Sequence, residues 1–91
     1  MKQVSVSIPW NLVPMTNGAR EVQVEGETVA ECLEKLANQF LKLKQNLFNS
    51  DGTLHGDVLI SLNGKLIQSG VPSIPVEDGD TLAIAVIIGG G

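Results

Sequence analysis

The chain is short of the residues from which most active sites are built. It has one cysteine, Cys32, and one histidine, His55, among its 91 residues. A lone cysteine forms no internal disulfide, and one Cys with one His is too few for a zinc or iron–sulfur centre, so neither a metal nor a cofactor is implied. Basic residues are scarce: Lys and Arg number 6 against 10 Asp and Glu, for a net charge of −4. Without clustered cations the chain is a poor ligand for phosphate backbones, and nucleic acid is not an expected partner. No apolar run reaches the length of a membrane span, and the N-terminal residues lack the long apolar stretch of a secretion signal. A cytoplasmic protein with no membrane association is expected.

Constellations of catalytic groups are missing as well. His55 stands alone in a segment read as a loop, where a surface or hydrogen-bonded role fits better than that of a general base. Asp78 and Asp80 bracket Gly79 in a turn, a place where aspartate is favoured for its hydrogen bonds to backbone. Cys32 falls inside a helical apolar stripe and reads as a small core residue. Trp10, next to Pro9, is expected to be partly buried against a sheet edge. The chain looks like a substrate of other enzymes and not a catalyst.

What is present organises itself into a small α+β unit. Val4, Val6 and Ile8 alternate with polar residues as in a half-buried strand, and Pro9 ends it. Turn signals between Pro14 and Gly18 lead to a second alternation through Val22 and Val24. Thr28 followed three residues later by Glu31 is a capping-box signature. Val29, Cys32, Leu33, Leu36, Ala37 and Phe40 then recur at helical spacing. The stretch from Leu41 to Asp57 is looser and leaves room for a second short helix and a loop. Val58, Ile60 and Leu62 alternate into Asn63-Gly64, a hairpin turn signal, and Leu66-Ile67 return. A final strand, Thr81 to Ile87, should turn Leu82, Ile84 and Val86 inward and Ala85 and Ile87 outward. Glu21, Glu25, Glu27, Glu31 and Glu34 suggest one acidic flank, either a solvated face or a surface that steers a basic partner.

Strands at both ends with one main helix between them allow the terminal strands to pair in parallel, the β-grasp arrangement. The expected fold is thus a mixed sheet of four or five strands with that helix on one face. Residues 1–88 are assigned to the β-grasp domain and 89–91 to a flexible glycine tail. Three glycines, Gly89-Gly90-Gly91, make a thin thread able to enter a narrow tunnel.

With the Asp78-Gly79-Asp80 turn, the strand of Leu82, Ile84 and Val86, and the terminal Gly90-Gly91, the chain resembles the ubiquitin-like sulfur carriers along nearly its whole length. That family includes the molybdopterin synthase small subunit, the thiamine-pathway carrier and the carriers for cysteine or homocysteine synthesis. The resemblance implies that an ATP-dependent enzyme of the ubiquitin-activating type adenylates the Gly91 carboxylate, which then becomes a thiocarboxylate. Gly89 departs from the family pattern, where a larger residue is common. Ser7-Ile8-Pro9, Leu12, Pro14, Thr16, Gly18, Gly52, Leu54-His55 and Ser69-Gly70 are more similar to the cysteine-synthesis carriers. By that resemblance the acceptor is a pyridoxal-phosphate sulfhydrylase and a metallopeptidase releases the product. Ala85, Ile87 and Ile88, next to the tail, are the candidate docking residues. Three alternatives remain open: a molybdopterin synthase subunit, a protein modifier forming isopeptide bonds, and a non-covalent β-grasp module.

Overall fold

A computed structural model describes residues 2–51, 54–67 and 74–87. Five strands form one sheet: β1 (Gln3–Ser7), β2 (Glu21–Glu25), β3 (Val58–Leu62), β4 (Lys65–Ile67) and β5 (Thr81–Val86), in the order β2-β1-β5-β3-β4. The terminal strands are parallel neighbours in the centre, with Ser5, Val6 and Ser7 opposite Thr81, Leu82 and Ala83. All other pairs are antiparallel. The β-grasp expectation holds.

Two helices cover one face. In α1 (Val29–Gln39) the residues Val29, Cys32, Leu33, Leu36 and Ala37 are buried. The capping box is in place at one end: the Thr28 hydroxyl accepts the Glu31 N–H at 3.1 Å. Its return arm lands one residue early, because Glu31 Oε1 accepts the N–H of Glu27 at 3.0 Å while Thr28 bridges to Pro75. A second helix, α2 (Leu41–Leu47), buries Leu43 and Leu47 and follows α1 through Phe40, whose extended backbone both ends one helix and begins the other. Alternate residues of the strands, Val4, Val6, Val24, Val58, Ile60, Leu82 and Ile84, meet these helices in one core.

Turn chemistry sets the registers. Asn63 and Gly64 have φ of 52° and 84°, the positive pair that a two-residue hairpin requires, and they place Leu66 opposite Ser61. At the other connection Gly79 has φ of 90°, while Asp78 Oδ1 accepts the Gln3 N–H at 2.8 Å. The turn that feeds β5 is thereby tied to the start of β1.

The position of Trp10 corrects the expectation of partial burial: it is 79% exposed. The Pro9 carbonyl accepts the N–H groups of Leu12 and Val13 at 2.9 and 3.2 Å, which closes the chain into a tight turn. Leu12 takes the buried place in that turn and the indole is left outside.

Candidate functional site

The outer face of the sheet, opposite the helices, is graded in chemistry from edge to edge. Following the registers from β2 to β4 gives the row Glu21, Ser7, Ala83, Ser61 and Leu66. The β2 edge carries Glu21, Gln23 and Glu25, all exposed, and Gln23 Nε2 donates to Ser5 Oγ at 2.6 Å. Ser5, Ser7, Thr81 and Ala83 form a low floor in the middle. The far side is apolar: Leu66 is 51% exposed, and Leu59 stands opposite Ala85 on this same face.

β5 carries the apolar side to the end of the strand. Ala85 is exposed, and Ile87, beyond the strand on the same alternation, is 52% exposed with its N–H donated to Asp57 O at 2.8 Å. That bond extends the β3–β5 ladder by one rung. Of the docking residues expected from sequence, Ala85 and Ile87 are thus brought together on the outer face with Leu59 and Leu66. Ile88, Gly89, Gly90 and Gly91 lie outside the described residues. Leu59 and Leu66 were not singled out from sequence, although the period of β3 and the register set by Asn63-Gly64 contain the information needed to place them.

The other candidate groups lie away from this face. Cys32 is fully buried, and burial, then the Glu31 carboxylate, push its thiol above the ordinary value. A protonated thiol without solvent access is a poor nucleophile. His55 Nε2 is 3.1 Å from the carbonyl of Gln45 in α2, a structural contact. Asp80 Oδ1 accepts from Asn63 Nδ2 at 3.0 Å and Oδ2 accepts from the Glu77 N–H at 2.7 Å, and these two bonds, in that order, lower its pKa. Both carboxylate oxygens thus hold turn residues. Among the described residues no group of His, Cys, Asp and Glu could hold a metal ion, and no helix is long and apolar enough to cross a membrane.

The outer face is apolar beside β5, and the sequence after Ile87 continues Ile88-Gly89-Gly90-Gly91. The ThiS family model matches residues 10–91. This chain belongs to the ThiS family. The sulfur carrier protein CysO of Mycobacterium tuberculosis is 32% identical over 97% of this chain and 98% of its own length. Among solved structures, the complex of BexX and CysO from Amycolatopsis orientalis contains a chain with a TM-score of 0.83 and 31% identity, covering 97% of this chain and 99% of that one. The small archaeal modifier protein 1 of Methanosarcina acetivorans matches with a TM-score of 0.84 and 27% identity, over 100% of this chain and 98% of its own. Family and fold both agree with the sequence.

Proposed function

We propose that this protein is a sulfur carrier for cysteine or homocysteine synthesis and works through the carboxylate of Gly91. The observation that carries this reading is the apolar outer-face patch of exposed Leu66, Ala85 and Ile87 with half-buried Leu59, alongside β5, in a ThiS-family chain whose sequence continues Ile88-Gly89-Gly90-Gly91. The 32% identity to a sulfur carrier named CysO, nearly end to end, supports the choice of amino-acid sulfur transfer over molybdopterin synthesis.

The chemistry needs a partner. A carboxylate is a poor electrophile, so an ATP-dependent activating enzyme first forms the acyl-adenylate, in which a Gly91 oxygen takes the α-phosphate and pyrophosphate leaves. A sulfide-equivalent donor then attacks the acyl carbon and AMP departs, which leaves a thiocarboxylate. Its sulfur is nucleophilic and stays attached to protein. Glycine at positions 89–91 suits the thread to a closed site that excludes water, which would otherwise hydrolyse the adenylate. The patch around Ile87 supplies the docking area and Gly91 the reacting group, so the protein serves as a co-substrate while its partners do the catalysis.

The test is intact mass. With the cognate activating enzyme, ATP and a sulfur donor, the protein gains about 16 Da, the difference between sulfur and oxygen at one acyl position. Deleting Gly90-Gly91 abolishes the gain and leaves the melting temperature unchanged. An unchanged mass in the full-length chain, with an enzyme shown to be active, refutes the reading. Isopeptide conjugates to lysine in place of the thiocarboxylate would favour the modifier alternative.

A further inference from the structure

The sequence has a single tryptophan, and the fold spends it on solvent. Trp10 is the most exposed large apolar side chain among the described residues. It is also well placed. β1 and β5 run parallel and their pairing ends at Ser7 opposite Ala83, so continuing that register brings Pro9–Trp10 level with the last residues of β5. Beyond Ala83, β5 has a strand neighbour only on the β3 side. Trp10 therefore stands at the end of the sheet from which the glycine terminus continues. Arg20, exposed and immediately before β2, lines one surface hollow together with Trp10, Ile8 and Val13.

Reach determines what must cover this rim. Four residues, Ile88 to Gly91, follow Ile87, and a fully extended chain advances at most about 3.3–3.6 Å per residue, so Gly91 lies within roughly 14 Å of Ile87. An enzyme that encloses the Gly91 carboxylate brings its own surface within that distance of the end of β5. A standard interface covers about 800 Å² on each partner, a patch broad enough to include both Ile87 and the turn that holds Trp10. Exposed tryptophan and arginine are the residue types that most often dominate such contacts.

We propose that Trp10 and Arg20 form a second docking element for the activating enzyme, distinct from the outer-face patch of Ile87 and resting on the reading that Gly91 is adenylated. The matching surface beside the enzyme's tail channel carries an apolar slot for the indole and a carboxylate facing the Arg20 guanidinium. Its function is affinity. The Ile87 patch lies on the outer face beside β5 and Trp10 follows β1, so the two contacts hold the carrier together, equally before and during reaction.

The experiment measures ATP-dependent pyrophosphate release by the cognate activating enzyme as a function of carrier concentration. The wild-type chain is first confirmed to gain the thiocarboxylate mass; if it does not, the parent reading fails and this one with it. Trp10→Ala then raises KM roughly ten- to thirty-fold with kcat within about twofold, because the contact is made before and during reaction alike. Trp10→Phe recovers most of the loss, and Arg20→Glu raises KM by a smaller factor that shrinks with added salt. Thermal unfolding of Trp10→Ala is unchanged. A carrier labelled with 5-fluorotryptophan gives one fluorine resonance, which shifts or broadens when the enzyme is added. An unaltered KM with an unmoved resonance overturns the proposal. So does normal activation combined with impaired sulfur delivery, which would assign Trp10 to the acceptor enzyme instead.

Discussion

Asn63 clasps Asp80 across the sheet: its Nδ2 donates to Asp80 Oδ1 at 3.0 Å while its own Oδ1 accepts the Thr81 N–H at 2.9 Å. One side chain in the β3–β4 turn thus fixes the first residue of β5. The same residue must have positive φ for the hairpin, a conformation that asparagine tolerates better than most residues. Turn type and strand register are set together, and the end of β5 inherits that register.

This clasp gives stability a pH dependence of known sign. Asp80 has its folded-state pKa lowered, first by Asn63 and then by the Glu77 N–H. A depressed carboxylate contributes stability that is present above its unfolded pKa and lost as pH falls through the folded value. Melting temperature should therefore decline on acidification below about pH 4, near the unfolded value for aspartate. In Asp80→Asn that part of the acid decline is absent, and stability at neutral pH is lower. Identical acid limbs in the two proteins would remove Asp80 as a source of the effect.

Gly26 and Cys32 should behave as a coupled pair. A Cβ added at Gly26 would stand 2.9 Å from Cys32 Sγ and 3.2 Å from Cys32 N. Gly26→Ala is thus destabilising. In a Cys32→Ala background the clash with sulfur is gone while the clash with backbone remains, so the double-mutant cycle should show partial relief. Cys32→Ala alone costs roughly 1 kcal/mol through lost burial and a small cavity. It still gains sulfur at Gly91. Denaturant unfolding reads the three stability effects, and intact mass reads the sulfur loading.

Much of the fold was legible because its periods are clean. Val4-Val6 and Leu82-Ile84 alternate over buried strands, and Val29 to Ala37 trace one helical face. The apolar outer face was only half legible, since Ala85 and Ile87 follow from one strand's alternation while Leu59 and Leu66 join them through pairing with other strands. Trp10 was misread for a comparable reason. Its exposure depends on Leu12 filling the buried place in a turn closed by the Pro9 carbonyl, a competition that residue type does not disclose.

Replacing the apolar exit separates docking from folding. Ile87 is half exposed, and its N–H bond to Asp57 O is made by backbone that aspartate retains, so Ile87→Asp should unfold like the wild type. A charge set in the apolar patch would be desolvated on binding without a partner. Affinity for the activating enzyme should fall by ten-fold or more, and Leu66→Asp should weaken it in the same direction. Calorimetry checks both; unchanged affinities would place the interface elsewhere.

The helix cap offers a local measure of what holds α1. Thr28 satisfies the Glu31 N–H, and the Glu31 carboxylate satisfies that of Glu27. Thr28→Ala should cost about 1 kcal/mol, the usual value of an N-cap. Because α1 lies on the face opposite Ile87, sulfur loading should continue in this variant at temperatures where it remains folded.

The destination of the sulfur can be read from the species left on Gly91. If the acceptor is a pyridoxal-phosphate enzyme holding an activated serine or homoserine, the thiocarboxylate sulfur forms a C–S bond with the amino-acid carbon as its leaving group departs. The product is a thioester between Gly91 and the new thiol. Its amino group lies close enough to attack the same carbonyl, and that intramolecular transfer yields the more stable amide and frees the thiol. The diagnostic species is then the carrier with cysteine or homocysteine attached at Gly91 through nitrogen, stable to hydroxylamine, which cleaves thioesters. A separate peptidase must then hydrolyse that amide to release the amino acid and regenerate the Gly91 carboxylate. Mass spectrometry of the carrier incubated with its sulfhydrylase, before and after peptidase, should show the adduct and its loss. Sulfur transfer only to a pterin precursor, together with a molybdopterin synthase large subunit, would defeat the amino-acid assignment while leaving the chemistry at Gly91 intact.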